Sequence, residues 1–139
     1  MSETIASAPV VVSENHRGRY QQDVRVGEHL LIADEPVSVG GGDAGPAPFD
    51  YLLAALGACT SMTVRMYAER KEWPLTEVSV ALSLEAGPGG EQRIVRRITL
   101  AGELSAGQRS RLLEIANKCP LHRALSNPLA IDSSLVEAD

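Results

Sequence analysis

The sequence predicts an α+β fold, in which strands and helices occupy separate runs of the chain. One observation is the alternation, beginning at Val78, of large apolar residues with small or polar ones, which is typical of a half-buried strand. Another is a helical pattern of apolar residues from Phe49 to about Lys71. The predicted order is two strands, a long helix, two strands, two helices and a strand. Such segregated runs favour α+β over a doubly wound α/β fold.

The composition is that of an ordinary globular protein. The chain has 139 residues, of which 44% are hydrophobic and 22% charged, with a formal net charge of -5. This length is enough for one domain with a sizeable core, and the composition excludes a largely disordered chain. The negative charge argues against a nucleic-acid partner, which would need a basic face. No run reaches the roughly 18 apolar residues of a membrane span, so no membrane partner is predicted.

The N-terminal residues 1–16 are predicted to form a tail, and residues 17–139 a single domain. Within the tail, Val10–Val12 could add an edge strand. The N-terminus lacks the basic region and apolar core of a secretory signal, so we expect a cytoplasmic protein. In that compartment cysteines are more often reduced, catalytic or redox-active than structural.

The first half of the domain is predicted to contain a hairpin, a loop and the long helix. Arg19 to Val26 and His29 to Ala33 read as two strands around a Gly-containing break. The Gly- and Pro-rich residues 40–48 predict a loop. The helix has Asp50 in its first turn, which suits the helix dipole, and it ends before Pro74. Its predicted apolar stripe consists of Leu52, Leu56, Cys59, Thr63 and Met66.

The second half is predicted to begin with a hairpin, formed by the alternating strand after Val78 and a strand from Ile94 to Ala101. Ser105 and Gln108 then have the spacing of a capping box at the start of a second helix. Pro120 should break or restart that helix. Two elements complete the prediction: a short helical piece at residues 121–125 and a last strand at residues 129–136.

Cys59 and Cys119 are the two cysteines of the chain, and each lies on the apolar face of its own predicted helix. If the helices pack face to face, the sulfurs come within bridging distance. The alternative is that both cysteines act as small buried hydrophobic residues. Cys119 and His122 have the spacing of a zinc ligand pair, but a structural zinc site needs four ligands, so no metal is predicted.

Two further residue types bear on thiol chemistry. His122 could act as a base for either cysteine, although a helix-end histidine that caps carbonyls is the preferred interpretation. An arginine is a natural agent for stabilising a thiolate, because it stays charged and carries several donors. Arg17 and Arg19 flank Gly18 at the start of the first predicted strand. Arg17 is interpreted as a solvated charge.

Two motifs carry a resemblance to a known family. They are GPAPFDYLLAALGACTSMT at residues 45–63 and NKCPLHR at residues 117–123. Together, and at this separation, they resemble the OsmC/Ohr family of thiol-dependent hydroperoxide reductases, and in detail its OsmC-like branch. The resemblance extends from Gly18 to the last predicted strand. It implies two antiparallel sheets wrapped around long central helices in an intertwined homodimer.

The resemblance also implies roles for individual residues. Cys59 would be the peroxidatic thiolate, and Cys119 the resolving thiol that condenses with the Cys59 sulfenic acid to a disulfide. Arg19, which follows a glycine as the family's arginine does, would stabilise the thiolate. An organic hydroperoxide would be the substrate, and a dithiol such as reduced lipoamide the reductant. No metal, flavin, haem or other cofactor is implied.

The chain departs from the family at the glutamate that orients the arginine, because this position is Phe49. Asp50 is one residue later, about 100° around the helix. Either Asp50 replaces the glutamate as partner of the arginine, or no carboxylate holds the arginine. The polarity of the neighbouring residues suits an alkyl or fatty-acid hydroperoxide better than hydrogen peroxide. The candidate substrate-binding residues are Phe49, Leu52, Leu53, Met62 and Met66.

Three functional interpretations follow from these residues. The first is a hydroperoxide reductase that uses both cysteines. The second is a non-catalytic or ligand-binding protein of the same fold, in which the cysteines only pack. The third, and the least favoured, is a Cys-His hydrolase that uses His122. The long apolar face of the helix from Phe49 to Tyr67 predicts a homodimer that buries more than about 2,000 Å².

Overall fold

The computed structural model describes residues 9–138, and the chain divides into two compact units between Leu52 and Leu53. The first unit contains a three-stranded antiparallel sheet, and the second contains a two-stranded antiparallel sheet and most of the helical residues. The predicted α+β class is therefore confirmed. None of the helices in the described part of the chain is long and apolar enough to cross a membrane.

The sheet of the first unit consists of β1 (Val10–Glu14), β2 (Gln22–Val26) and β3 (His29–Ala33), in that order. β1 lies within the segment predicted as a tail. It pairs with β2 so that Val10 faces Val26, which means that the edge strand suggested by the three valines is present. The predicted hairpin of β2 and β3 is confirmed.

The residues between β1 and β2 correct one expectation. Arg19 was expected on a strand, but β2 begins only at Gln22. The connection is closed by a hydrogen bond of 3.3 Å from the Asn15 amide to the Gln21 carbonyl. His16 has a φ of 59°, which belongs to turns and not to extended backbone. Because the chain turns here, Arg19 lies in the connection.

The Gly- and Pro-rich loop before the long helix is organised by the buried side chain of Asp34. Its carboxylate accepts hydrogen bonds from the amides of Glu35, Gly42 and Ala44 at 2.8, 3.2 and 3.0 Å. The Ala44 and Glu35 amides contribute most to a pKa of Asp34 below its usual range, against the opposing effect of burial. Gly41 is required for close approach, because a Cβ there would collide with the Glu35 carbonyl oxygen.

The long helix α1 (Pro48–Lys71) has the predicted extent, but its buried face differs from the predicted stripe. Of that stripe only Leu56 is buried, and Met66 is 66% exposed. The face is rotated by about one residue because Gly57 lets the following sheet come close. A Cβ on Gly57 would lie 2.8 Å from Leu82 Cδ1. The buried residues of α1 are Leu56, Gly57, Thr60, Val64, Tyr67 and Ala68.

The second unit continues with the hairpin of β4 (Leu75–Ala86) and β5 (Gln92–Gly102), followed by α2 (Ala106–Ala116). The predicted capping box at Ser105 is confirmed, because its hydroxyl accepts the Gln108 amide at 3.1 Å and its amide donates to the Gln108 side chain at 2.8 Å. α1, β4 and α2 share one core, which consists of Val64, Tyr67, Ala68, Leu75, Leu112 and Ala116.

The chain ends with the short helix α3 (Pro120–Leu125) and then has no regular structure from residue 126 to residue 138. The predicted last strand at residues 129–136 is therefore wrong. Leu129, Ile131 and Leu135 are exposed. A strand is stable only when a neighbouring strand satisfies its backbone groups. No strand of the described residues pairs with this segment.

Candidate functional site

Cys119 lies at the junction of α2 and α3 and is fully buried. It is the N-cap residue of α3, and its sulfur accepts the His122 backbone amide at 3.3 Å. Pro120 takes the first helical position, where the lack of an N–H group costs nothing. The sequence Cys-Pro-Leu-His thus fixes the sulfur at the start of a short helix.

Cys59 lies in the middle of α1 and keeps part of its surface accessible. Both cysteines are free thiols. The Cys59 side chain is close enough to Cys119 to help lower the pKa of that thiol. The fold therefore brings together the two cysteines that lie far apart in sequence.

Thr60 is the polar residue of α1 that contacts Cys119, and it is fully buried. Its hydroxyl oxygen lies 3.8 Å from the Cys119 sulfur. The hydroxyl donates to the Leu56 carbonyl at 2.7 Å, as threonines in helices often do. The same oxygen accepts a hydrogen bond of 2.8 Å from Nη1 of Arg96.

Arg96 on β5 connects this helix with the end of α2. Its Nη1 donates to the Ala116 carbonyl at 3.2 Å as well as to Thr60, and its Nη2 donates to Oδ1 of Asn117 at 2.7 Å. Three structural elements are therefore held by one guanidinium group. Because Ala116 and Asn117 directly precede Lys118 and Cys119, Arg96 also fixes the backbone that leads to the sulfur.

Arg96 and Thr60 were not among the residues singled out from the sequence. The signal for Arg96 is its place in the alternation of β5, because Ile94, Ile98 and Leu100 are its neighbours on the less exposed face. A charged residue on that face needs partners in the interior. Thr60 has a weaker signal, as a polar residue four positions after Leu56 in a helix that is otherwise apolar on that side.

The surroundings of Cys119 favour its thiolate. Burial opposes ionisation and by itself raises the pKa of the thiol. The hydrogen bond from the His122 amide and the contacts with the Thr60 hydroxyl and the Cys59 side chain act in the other direction, and the charge of Arg96 adds to them. Together they hold the pKa of Cys119 below the ordinary value for a cysteine. A lower pKa increases the fraction of the nucleophilic form at neutral pH.

His122 contacts Cys119 through its backbone amide. Burial, and then the positive charge of Arg96, lower the pKa of the His122 imidazole. The side chain is therefore neutral at neutral pH. Among residues 9–138, no three His, Cys, Asp or Glu side chains are grouped so that they could hold a metal ion.

Arg19 and Asp50 lie in the first unit. The guanidinium carbon of Arg19 lies 5.1 Å from the centre of the Tyr20 ring. Asp50 accepts the Ala47 amide at 3.0 Å, which stabilises the start of α1. The two ion pairs found in residues 9–138 join Arg17 to Asp23 and Arg111 to Glu114, so neither includes Arg19 or Asp50.

The first unit also contains a cavity of about 450 Å³. The residues that line it are Tyr20, Gln22, Ala33, Asp34, Glu35, Val39 and Pro48.

The five apolar residues proposed to bind substrate all lie on α1 and differ in exposure. Phe49, Met62 and Met66 are exposed, and Leu52 and Leu53 are half-buried. Met62 lines a cavity of about 300 Å³ between α1 and β4. Met66 lines a different cavity, of about 250 Å³, between α1 and α2.

Comparison with known proteins gives a consistent family likeness. The family model described as OsmC-like protein matches residues 40–134. The structure is similar to an OsmC-like protein from Mycoplasma pneumoniae, with a TM-score of 0.74 at 15% identity over 88% of this chain and 89% of that one. A search of curated proteins found no match.

Two other similar structures are named as organic hydroperoxide resistance proteins. The protein from Legionella pneumophila has a TM-score of 0.66 at 20% identity, over 88% of this chain and 91% of that one. The protein from Elizabethkingia anophelis has a TM-score of 0.65 at 16% identity, over 88% and 90% respectively. At these identities the likeness shows the fold.

Proposed function

The chain belongs to the OsmC-like family, and from this premise we propose that it is a thiol-dependent reductase of organic hydroperoxides. One observation carries the proposal: a partly accessible thiol, Cys59, lies beside a fully buried thiol, Cys119, whose pKa is lowered. This arrangement suits a pair in which one sulfur meets the substrate and the other meets only the first sulfur. The names of two similar structures agree with this chemistry.

In the proposed cycle the Cys59 thiolate attacks one oxygen of the hydroperoxide. The O–O bond breaks, the sulfur is oxidised to a sulfenic acid, and the substrate leaves as an alcohol after taking up a proton. The Cys119 thiolate then attacks the sulfenic sulfur. A disulfide forms between Cys59 and Cys119, and the hydroxyl group leaves with a proton as water.

A dithiol such as reduced lipoamide would complete the cycle. Its thiolate attacks the disulfide, and a second attack from the same molecule releases both cysteines as thiols while the dithiol becomes a disulfide. We also propose a cytoplasmic location, because that compartment supplies reduced thiols.

The roles of the remaining site residues belong to the same proposal. Arg19 would stabilise the Cys59 thiolate, as the matching arginine does in the family, and Asp50 would be the partner of Arg19. Because Phe49 replaces the family's glutamate, the arginine is held less firmly and we expect modest peroxidase efficiency. Met62 and Met66, together with Phe49, would favour an alkyl hydroperoxide over hydrogen peroxide.

We further propose that the protein is a homodimer. Large apolar side chains are exposed on α1, on β1 and on β3, and exposed apolar groups in such numbers are typical of protein interfaces. They include Val10, Val11, Val12, Leu30, Leu31, Phe49, Met62 and Met66. Light scattering at micromolar concentration should give twice the mass of the chain, and a monomer would contradict the proposal.

The proposed activity is tested by adding one equivalent of cumene hydroperoxide to the reduced protein. Intact mass and thiol counting should show that both thiols are lost together and that an intramolecular disulfide joins Cys59 to Cys119. Hydrogen peroxide serves as the comparison and should react more slowly. If the thiols survive, or titrate independently of each other, the protein does not reduce hydroperoxides by a two-cysteine mechanism.

A further inference from the structure

We propose that Arg96 and Thr60 form a relay that activates Cys119 as the resolving nucleophile, with Thr60 supplying the hydrogen bond to the sulfur and Arg96 positioning Thr60. The inference rests on the proposed function, because it concerns the step in which Cys119 attacks the oxidised sulfur of Cys59. Neither residue touches the substrate in this scheme. Both are positioning residues that act through Cys119.

The relay follows from the number of protons on the Thr60 hydroxyl. A hydroxyl has one proton to donate and two lone pairs that accept. In the structure the proton is directed to the Leu56 carbonyl at 2.7 Å, and one lone pair accepts from Arg96 at 2.8 Å. The remaining lone pair is free to accept the S–H group of Cys119 at 3.8 Å. The protonated thiol is therefore the donor in this state.

Loss of the Cys119 proton reverses this hydrogen bond. A thiolate only accepts, so the Thr60 hydroxyl must turn its proton from the Leu56 carbonyl to the sulfur. This rotation of the hydroxyl costs little free energy, because the Leu56 carbonyl keeps another hydrogen bond. In the interior of α1 it accepts the ordinary helical bond from the backbone amide of Thr60. One hydroxyl can thus serve both protonation states of Cys119 without any movement of the backbone.

Arg96 makes this exchange effective in a buried position. Its Nη1 occupies one lone pair of Thr60 in both states, so the hydroxyl oxygen stays in place while the proton turns. Its bonds to Ala116 and Asn117 hold the chain just before Cys119 at the same time. The positive charge of the guanidinium also favours the thiolate.

The relay matters because Cys119 is fully buried. Burial in apolar surroundings favours a protonated thiol, which is a poor nucleophile. With Thr60 and Arg96 beside it, the buried thiol can give up its proton to the hydroxyl group that leaves the Cys59 sulfenic acid as water. The accessible face of Cys59 would react with the substrate without the help of this pair.

The test uses an aromatic disulfide, dithiobis-nitrobenzoate, which releases a coloured thiolate and needs no hydroperoxide. Cys59 attacks it first, forms a mixed disulfide and releases one thiolate. Cys119 then attacks the Cys59 sulfur, the Cys59–Cys119 bond forms, and a second thiolate leaves. The second release is first-order and independent of the reagent concentration, so its rate measures the nucleophilicity of Cys119 directly.

Four variants isolate the relay. Thr60→Val removes the hydroxyl at nearly constant volume, and Thr60→Ser restores it. Arg96→Met removes the guanidinium, and Arg97→Met is the matched control, because Arg97 is exposed and points to the other face of the same strand. Circular dichroism and thermal unfolding establish that each variant is folded.

We expect the second release to slow at neutral pH in Thr60→Val and Arg96→Met, by about threefold for each unit by which the pKa of Cys119 rises. Each such unit cuts the thiolate about tenfold and raises its intrinsic reactivity only about threefold. The pH at which this rate is half-maximal should also rise in both variants. Thr60→Ser and Arg97→Met should behave like the wild type. The first release should change little in all four.

Unchanged rates and pH profiles of the second release in Thr60→Val and Arg96→Met would overturn the relay. A slower rate with an unchanged pH profile would also overturn it, because loosened packing alone has that effect. If Arg96→Met does not fold, the comparison of Thr60→Val with Thr60→Ser decides the question. Cumene hydroperoxide added to the wild type is the separate test of the proposed function, and its failure leaves the result with the aromatic disulfide intact.

Discussion

Cys59 and Cys119 are neighbours in space but have different surroundings. Cys59 lies in the middle of a 24-residue helix and keeps part of its surface accessible. Cys119 lies at a junction of two helices, is fully buried, and has the His122 amide and the Thr60 hydroxyl as partners. In the proposed cycle this difference protects the resolving sulfur from direct oxidation, because a hydroperoxide can reach only the accessible one.

The two thiols also differ in the origin of the cation proposed to assist them. Arg96 lies on β5, in the same unit as Cys119, and acts through Thr60. Arg19, the residue that family resemblance assigns to Cys59, lies in the connection between β1 and β2 of the other unit. The two thiols can therefore be perturbed separately, by substitutions that lie on different parts of the chain.

The largest effect is expected from replacing each cysteine by serine. Cys59→Ser should lower the consumption of cumene hydroperoxide to the background rate, because the attacking sulfur is missing. Cys119→Ser should still consume one equivalent and leave a sulfenic acid at Cys59, which dimedone traps and mass spectrometry detects. Consumption that persists in Cys59→Ser, or a sulfenic acid found at Cys119, would reverse the roles of the two residues.

The next effect in size is expected from Arg19. Arg19→Ala should slow the reaction of Cys59 with hydroperoxide about a hundredfold, which is typical for the loss of one preorganised donor in an active site. Stopped-flow measurement of the first oxidation step gives this rate. The second release from the aromatic disulfide should be unaffected, since that step depends on Cys119.

Two variants serve as controls for Arg19. Arg17 is 63% exposed and pairs with Asp23, and such surface pairs contribute little, so Arg17→Ala should leave the rate almost unchanged. Asp50→Asn should have a small effect, since Asp50 already accepts the Ala47 amide. Equal alkylation rates of Cys59 across the pH range in wild type and Arg19→Ala would show that Arg19 is only a surface charge and does not stabilise the thiolate. The packing interpretation of the cysteines would then gain support.

The smallest effect is expected from replacing His122, which should change how the free energy of unfolding depends on pH. The lowered pKa of its imidazole means that the unfolded chain binds a proton more readily than the folded one. Stability should therefore be lost as the pH falls below about 6.5, the value in unfolded chains. Urea unfolding of wild type and His122→Gln should show a steeper loss in the wild type towards acidic pH. A loss of equal size in both proteins would mean that His122 does not contribute.

Much of the fold could be predicted from local patterns. The capping box at Ser105, the break at Pro120 and the alternation after Val78 depend on neighbouring residues, and all three were predicted correctly. The failures need information from distant parts of the chain. The segment at residues 129–136 has the composition of a strand, but no strand of the described chain pairs with it. The face of α1 was misplaced because Gly57, a small residue, sets how closely Leu82 approaches.

The two cysteines of the candidate site could be predicted from the sequence, but the residues that contact Cys119 could not. Cys59 and Cys119 are rare residues in recognisable motifs, so their importance is visible in the sequence. Arg96 is one of many charged residues, and its importance depends on contacts with Thr60, Ala116 and Asn117 that only the fold creates. An arginine on the less exposed face of a strand is the pattern that reveals such a residue.

The capping of α3 by Cys119 ties a piece of secondary structure to an oxidation state. A thiolate is a strong acceptor for the His122 amide, whereas a sulfur in a disulfide is a weak one. Each turn of the proposed cycle would thus loosen and restore the first turn of a helix of only six residues. Faster amide hydrogen exchange at His122 in the oxidised protein would report this change. The exchange rate would then measure the fraction of the protein that is in the disulfide form.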